Sequence, residues 1–213
     1  MKLKHFSLIF SIIGILVLYF LSELSHIPLI EISEMPKYEG KQATIQGIVT
    51  NYYMTRHGTQ IISIKEENST AEVFVEGGID VEYGDIIKAT GEIQKYQDKW
   101  ELIINDKRFV KILEKWNNIS FPLWQLAENP SKYLNLNVNV TGYVESISNA
   151  YFYLVDIENK HTLIVFYKIP KNLSIYPGQR VSVSGRFSFD KENFRYQLDL
   201  FDVNHELITI PQE

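Results

Sequence analysis

The sequence predicts an all-β protein, two small five-stranded barrels in tandem, preceded by one transmembrane helix. Three observations carry this. Tyr83-Gly84-Asp85-Ile86-Ile87-Lys88-Ala89-Thr90-Gly91-Glu92 is echoed by Tyr176-Pro177-Gly178-Gln179-Arg180-Val181-Ser182-Val183-Ser184-Gly185-Arg186. An aromatic, a turn glycine and a second glycine seven positions later appear in both, so one structural unit is used twice. Short runs of alternating apolar and polar residues, bounded by polar turns, fill the rest of both halves. Only the first 25 residues hold a long, uncharged apolar run.

Composition supports strands and excludes several functions. Of 213 residues 45% are hydrophobic, with 13 Tyr and 12 Phe, types that suit a pleated, half-buried surface. Twenty-six acidic against 21 basic residues give a net charge of −5, so the chain does not coat nucleic acid or anionic lipid by charge alone. The absence of Cys removes disulfides, thiolate metal sites and cysteine nucleophiles.

Residues 1–25 read as a signal-anchor. No Asp, Glu, Lys or Arg lies between Lys4 and Glu23, and a run of about 18 apolar residues just spans a hydrocarbon core as a helix. Lys2 and Lys4 keep the N-terminus cytoplasmic under the positive-inside rule. The expected location is therefore the cell membrane, single-pass, with both barrels extracytoplasmic. Leu21-Ser22-Glu23-Leu24-Ser25 offers no clean cleavage site, which favours an uncleaved anchor over a signal peptide.

Residues 26–36 read as a linker, extended before Pro28 and Pro36. The first barrel occupies 37–114, with strands expected at 43–50, 60–65, 71–76, 86–93 and 100–104. Gly47 stands where a strongly bent strand needs a glycine. The second barrel occupies 115–213. It opens with Phe121 to Pro130, a short helix or turn that plugs a barrel end, and continues with strands at 137–145, 151–157, 162–167, 180–187 and 195–201.

Ile45-Gln46-Gly47-Ile48-Val49 with Gly84 to Gly91, and Val140-Thr141-Gly142-Tyr143-Val144 with Gly178 to Gly185, resemble the nucleic-acid-binding group of the OB-fold, whose members include tRNA-anticodon and replication-protein domains. The resemblance covers nearly everything after Ser33 and implies two OB-type Greek-key barrels. It also implies a ligand lying across strands two and three, clamped by the loop after strand one and the hairpin between strands four and five. In the first copy those places hold Tyr52, Tyr53, Arg56 and His57, then Tyr96, Lys99 and Trp100. In the second they hold Tyr151, Tyr153 and Tyr167, then Phe189, Lys191, Phe194, Arg195 and Tyr196. Flat faces beside positive charge are what sequence-tolerant binding of single strands needs, at roughly 1–3 kcal/mol per stacked base. Strand aromatics serve packing equally well, and alternation alone does not say which of Tyr151, Phe152 and Tyr153 faces inward.

The resemblance thus implies a non-enzymatic, membrane-anchored protein that binds single-stranded DNA or RNA weakly. The alternative is an extracytoplasmic assembly module that takes a protein or glycan partner on the same faces. His5, His26, His57, His161 and His205 are scattered, with no zinc spacing, and Asp80, Glu82 and Asp85, like Asp156 and Glu158, fall at strand ends where turn acids are expected. No cofactor signature is present. The haem chaperone of cytochrome c maturation also joins an anchor to an outer OB barrel, but its histidine has a tyrosine four residues on, and His161 is followed there by Val165.

Overall fold

The computed structural model describes residues 10–19, 27–167 and 175–211. Residues 10–19 form helix α1, exposed along its whole length. Among the described residues no helix is long and apolar enough to cross a membrane. This overturns the single-pass anchor and, with it, the extracytoplasmic location derived from it. The flanks of the expected anchor, residues 1–9 and 20–26, lie outside the described residues.

The first sheet contains β1 (Gln42–Met54), β2 (Thr59–Glu66), β3 (Ser69–Glu76), β4 (Ile86–Tyr96), β5 (Lys99–Ile104) and β6 (Val110–Glu114). It runs β1-β2-β3-β5-β4 and closes by pairing β4 back on β1, with β3 and β5 parallel and the other neighbours antiparallel. That closure is the Greek-key barrel of the OB-fold. β6 adds to the outer edge of β4.

The second sheet contains β7 (Ser120–Pro122), then after helices α2 (Leu123–Glu128) and α3 (Pro130–Tyr133) the strands β8 (Asn137–Ile147), β9 (Tyr151–Val155), β10 (Thr162–Tyr167), β11 (Arg180–Asp190), β12 (Arg195–Leu200) and β13 (Glu206–Thr209). The order β8-β9-β10-β12-β11, closed by β11 on β8 and again with one parallel pair, repeats that of the first sheet. β1 and β8 are each bulged two residues after their glycine, past Val49 and past Val144. A bulge there sharpens the bend that lets one strand pair on both sides of a small barrel.

Each barrel has its own core. Ile45, Ile62, Ile64, Ile87, Ile93 and Leu102 fill the first, and Val140, Phe152, Leu154, Val183, Phe187 and Leu198 the second. α2 plugs the second by burying Leu123 and Leu126. The stretch read as an extended lead-in is different from that expectation. Leu29 bridges Thr44, and the 3₁₀ turn Ile32–Tyr38 buries Ile32 and Met35 in the first core. Apolar burial outweighs the extended preference set by Pro36, which sits inside the turn.

The repeated glycines act by contact. A Cβ at Gly91 would lie 2.4 Å from the Ile103 carbonyl oxygen, and one at Gly185 2.9 Å from that of Asp199. Both let β4 and β11 cross closely over the last strand of their barrel. The turn glycines differ. Gly84 (φ +95°) sits against the second barrel, where a Cβ would meet the Asn137 carbonyl oxygen at 2.6 Å, whereas Gly178 (φ +85°) has nothing within 4 Å of that position.

Candidate nucleic-acid interface

Strands two and three of the second barrel carry the clearest candidate surface. The period of two in β9 sends Phe152 and Leu154 into the core and leaves Tyr151 and Tyr153 half-exposed on the outer face. On β10, Leu163 and Val165 point inward and Phe166 outward. The ring of Tyr151 lies 5.6 Å from that of Tyr153 and 5.7 Å from that of Phe166, and the Arg195 guanidinium stands 5.6 Å above Phe166. Arg195 Nε is 3.7 Å from Asp190 and is buried without a hydrogen-bond partner among the described residues. Asp190 is itself engaged by Asn193, whose side chain and backbone N–H hold its pKa below the usual carboxylate value.

Other residues picked from the second copy lie elsewhere. Tyr167 packs its ring on Phe152 and donates its hydroxyl to the Ser148 carbonyl, a packing role. Tyr196 stacks on buried Phe187 and touches Phe189, on the side of the hairpin opposite Arg195. Lys191 and Phe194 are exposed at the hairpin tip, Phe194 at 83% and with φ +51°. Phe166 was missed because Leu163-Ile164-Val165-Phe166-Tyr167 is apolar throughout; a slip of one residue selects the inward tyrosine.

The equivalent face of the first barrel has different chemistry. Glu72 on β3 is the register partner of Glu101 on β5. Lys99 donates to Glu72 at 2.6 Å, which raises the lysine pKa and occupies its charge. Glu101 is only 8% exposed, and burial, then the Glu72 charge, raise its pKa above the usual carboxylate value. Tyr53 is exposed at 51%, but Trp100 faces the other way and packs on the core. Tyr52 also packs on that core. Because β1 continues to Met54, both tyrosines lie in the strand and only Arg56 and His57, both exposed, lie in the loop after it. Tyr96 is exposed at the end of β4, beside the two-residue turn Gln97-Asp98, where both φ values are positive.

Between the barrels lies a cleft of about 850 Å³. Its centre joins the ends of the two repeated stretches: the Arg186 guanidinium stacks 3.7 Å above the Tyr83 ring, which lies 4.9 Å from that of Tyr52. Burial lowers the Arg186 pKa, opposed by the Tyr83 and Tyr52 hydroxyls. Arg186 Nη1 is buried with no hydrogen-bond partner among the described residues. Glu82 accepts from the Trp116 indole N–H at 2.6 Å and from Asn204 at 2.9 Å, and Asp85 accepts from the Trp116 backbone N–H and pairs with Lys115. His205 meets Trp116 edge-on and accepts at Nδ1 from the Asp202 N–H; burial lowers its pKa against the opposing pull of Asp202. Nothing in the local pattern marks Tyr83 and Arg186 as a pair. Among the described residues no group of three or more His, Asp or Glu side chains is placed to hold a metal ion.

No protein-family model and no curated protein matches the chain. Similar solved structures include the OB domain of a Methanosarcina mazei protein, at 14% identity and TM-score 0.37 over 42% of this chain and 87% of that one. The S. pombe Stn1-Ten1 complex matches at 16% identity and TM-score 0.35, over 51% and 91%. A putative aspartyl-tRNA synthetase from Leishmania major matches at 11% and 0.36, over 43% of this chain and only 21% of its own length. At such identities the likeness extends to fold alone, and the OB-type assignment rests on the strand order and barrel closure described above.

Proposed function

We propose that the chain is a non-enzymatic OB-type binding module whose second barrel holds single-stranded nucleic acid weakly. The observation that supports it is the contiguous cluster of Tyr151, Tyr153, Phe166 and Arg195 on strands two, three and five. Rings that touch on an outer face offer stacking to successive bases without reading sequence, and one guanidinium among them adds a cation. The affinity is modest because little positive charge backs the cluster and the chain carries −5 overall.

Fluorescence titration of the whole chain with a labelled oligothymidylate tests this. Binding at low salt is expected to weaken only gently as salt rises, with a slope set by one or two neutralised phosphates at about 0.7 per phosphate. No binding at low salt, with the chain folded, would sink the reading. A second reading, a protein or glycan partner on the same faces, is favoured by the Glu72–Glu101 pair of the first barrel, which repels phosphate. That partner's binding would persist unchanged at high salt.

A further inference from the structure

The aromatic cluster does not end at the edge of the second barrel. Strand register places Tyr151 beside Phe166, Phe166 beside Asp199, and Asp199 beside Arg186. From Arg186 the row continues onto the first barrel through the stacked ring of Tyr83 and then Tyr52. A single row of side chains therefore runs from the outer face of the second barrel into the cleft between the barrels.

We propose that this cleft receives a base of the same strand that lies on the aromatic face, so that the binding surface spans both barrels; this rests on the function proposed above. The occupant is a base rather than a phosphate because of the charge around it. Asp80, Glu82, Asp199 and Asp202 line the cleft against one arginine. Three of the four are already engaged: Glu82 by Trp116 and Asn204, Asp199 by Ser188 and Gln197, Asp202 by the Val203 N–H. Carboxylates repel a phosphate but tolerate a neutral ring. Arg186 Nη1, buried and without a partner among the described residues, supplies a donor to an acceptor on the edge of the base, and each of the bases carries one. Phe201, half-exposed at the rim, gives the base an apolar edge to slide past. The volume of the cleft suits one nucleoside.

The test compares oligothymidylates of about four and about twelve nucleotides, the lower and middle range of OB site sizes, on the whole chain. Arg186→Met and, as a milder variant at the rim, Phe201→Ser are expected to weaken the long strand by about fivefold or more while leaving the short one unchanged. An oligoadenylate of the longer length should show the same loss, because adenine also offers ring-nitrogen acceptors. Melting curves establish that each variant is folded, and Phe201→Ser keeps the test valid if Arg186→Met loosens the joint. Variants that weaken both lengths alike, or neither, overturn the extension and leave the aromatic face standing. A wild-type chain that binds neither length overturns both proposals.

Discussion

On the face built by strands two, three and five, the first barrel places Glu72, Lys99 and Glu101, and the second places Tyr151, Tyr153, Phe166 and Arg195. The inward residues of both barrels are apolar and mostly branched aliphatics around a closed sheet, with Phe152 and Phe187 added in the second. The outward ones differ. Closing the barrel constrains one side of every strand and leaves the other free, so two copies of one fold carry a carboxylate pair and an aromatic cluster at equivalent places.

The largest effect that tests this contrast is the loss of the stacking surface. Tyr151→Ala with Phe166→Ala should lower oligonucleotide affinity at least tenfold, since each stacked base contributes about 1–3 kcal/mol. Tyr53→Ala with Trp100→Ala should change affinity less than about twofold, yet lower the melting temperature, because Trp100 packs on the core. The reverse result in a binding titration would assign the ligand to the first barrel.

Next come the repeated glycines. Gly91→Ala and Gly185→Ala should each destabilise by about 1–3 kcal/mol, the usual cost of overpacking. Gly91→Ala is expected to be the worse, because its Cβ would lie 2.4 Å from a backbone oxygen against 2.9 Å for Gly185. Chemical denaturation ranks them, and an equal cost would show that both strands shift freely.

A smaller effect separates the two faces by charge. The raised pKa of Glu101 in the folded state means that its ionisation costs stability above the usual carboxylate range, and the cost disappears as pH falls through the raised value. Glu101→Gln should therefore raise the melting temperature by about 1–3 °C near pH 7 and not near pH 4. A drop at pH 7 would mean that the carboxylate is held by a favourable contact.

The smallest expected effect is at the joint. Burial keeps the folded-state pKa of His205 below its usual value, so the stability it contributes is complete above that usual value and is lost as pH falls through the folded one. His205→Gln should reduce the loss of stability between about pH 7 and pH 5, followed by thermal melts. An unchanged slope would show that His205 does not carry the acid sensitivity.

Ten barrel strands were legible because alternation and turn residues are local signals. β6, β7 and β13 were not. They are short, flanking strands of three to five residues, and what holds them is a partner strand far away in sequence. The plug at α2 was readable from its apolar pair, Leu123 and Leu126. On the second barrel, Tyr151, Tyr153 and Arg195, read from strand position and residue type, come together on one outer face, whereas Tyr167, read the same way, packs on Phe152 and Tyr196 packs on Phe187. The expected anchor is of another kind: an uncharged apolar run states a composition, and among the described residues no helix is long and apolar enough to cross a membrane. The stacking of Arg186 on Tyr83 depends on how two separately closed barrels dock, which no periodicity within either one records.

The two turn glycines give the pair a direction. The turn at Gly84 is roofed by the Asn137 backbone and by Trp116, while a Cβ built at Gly178 meets no atom of the described residues within 4 Å. A chain with the barrels in exchanged order would offer Tyr176-Pro177-Gly178 as the seat and would bring Glu92, the counterpart of Arg186 in the repeat, in place of the guanidinium. The joint is therefore directional: the first half supplies the ring and the second the guanidinium that stacks on it.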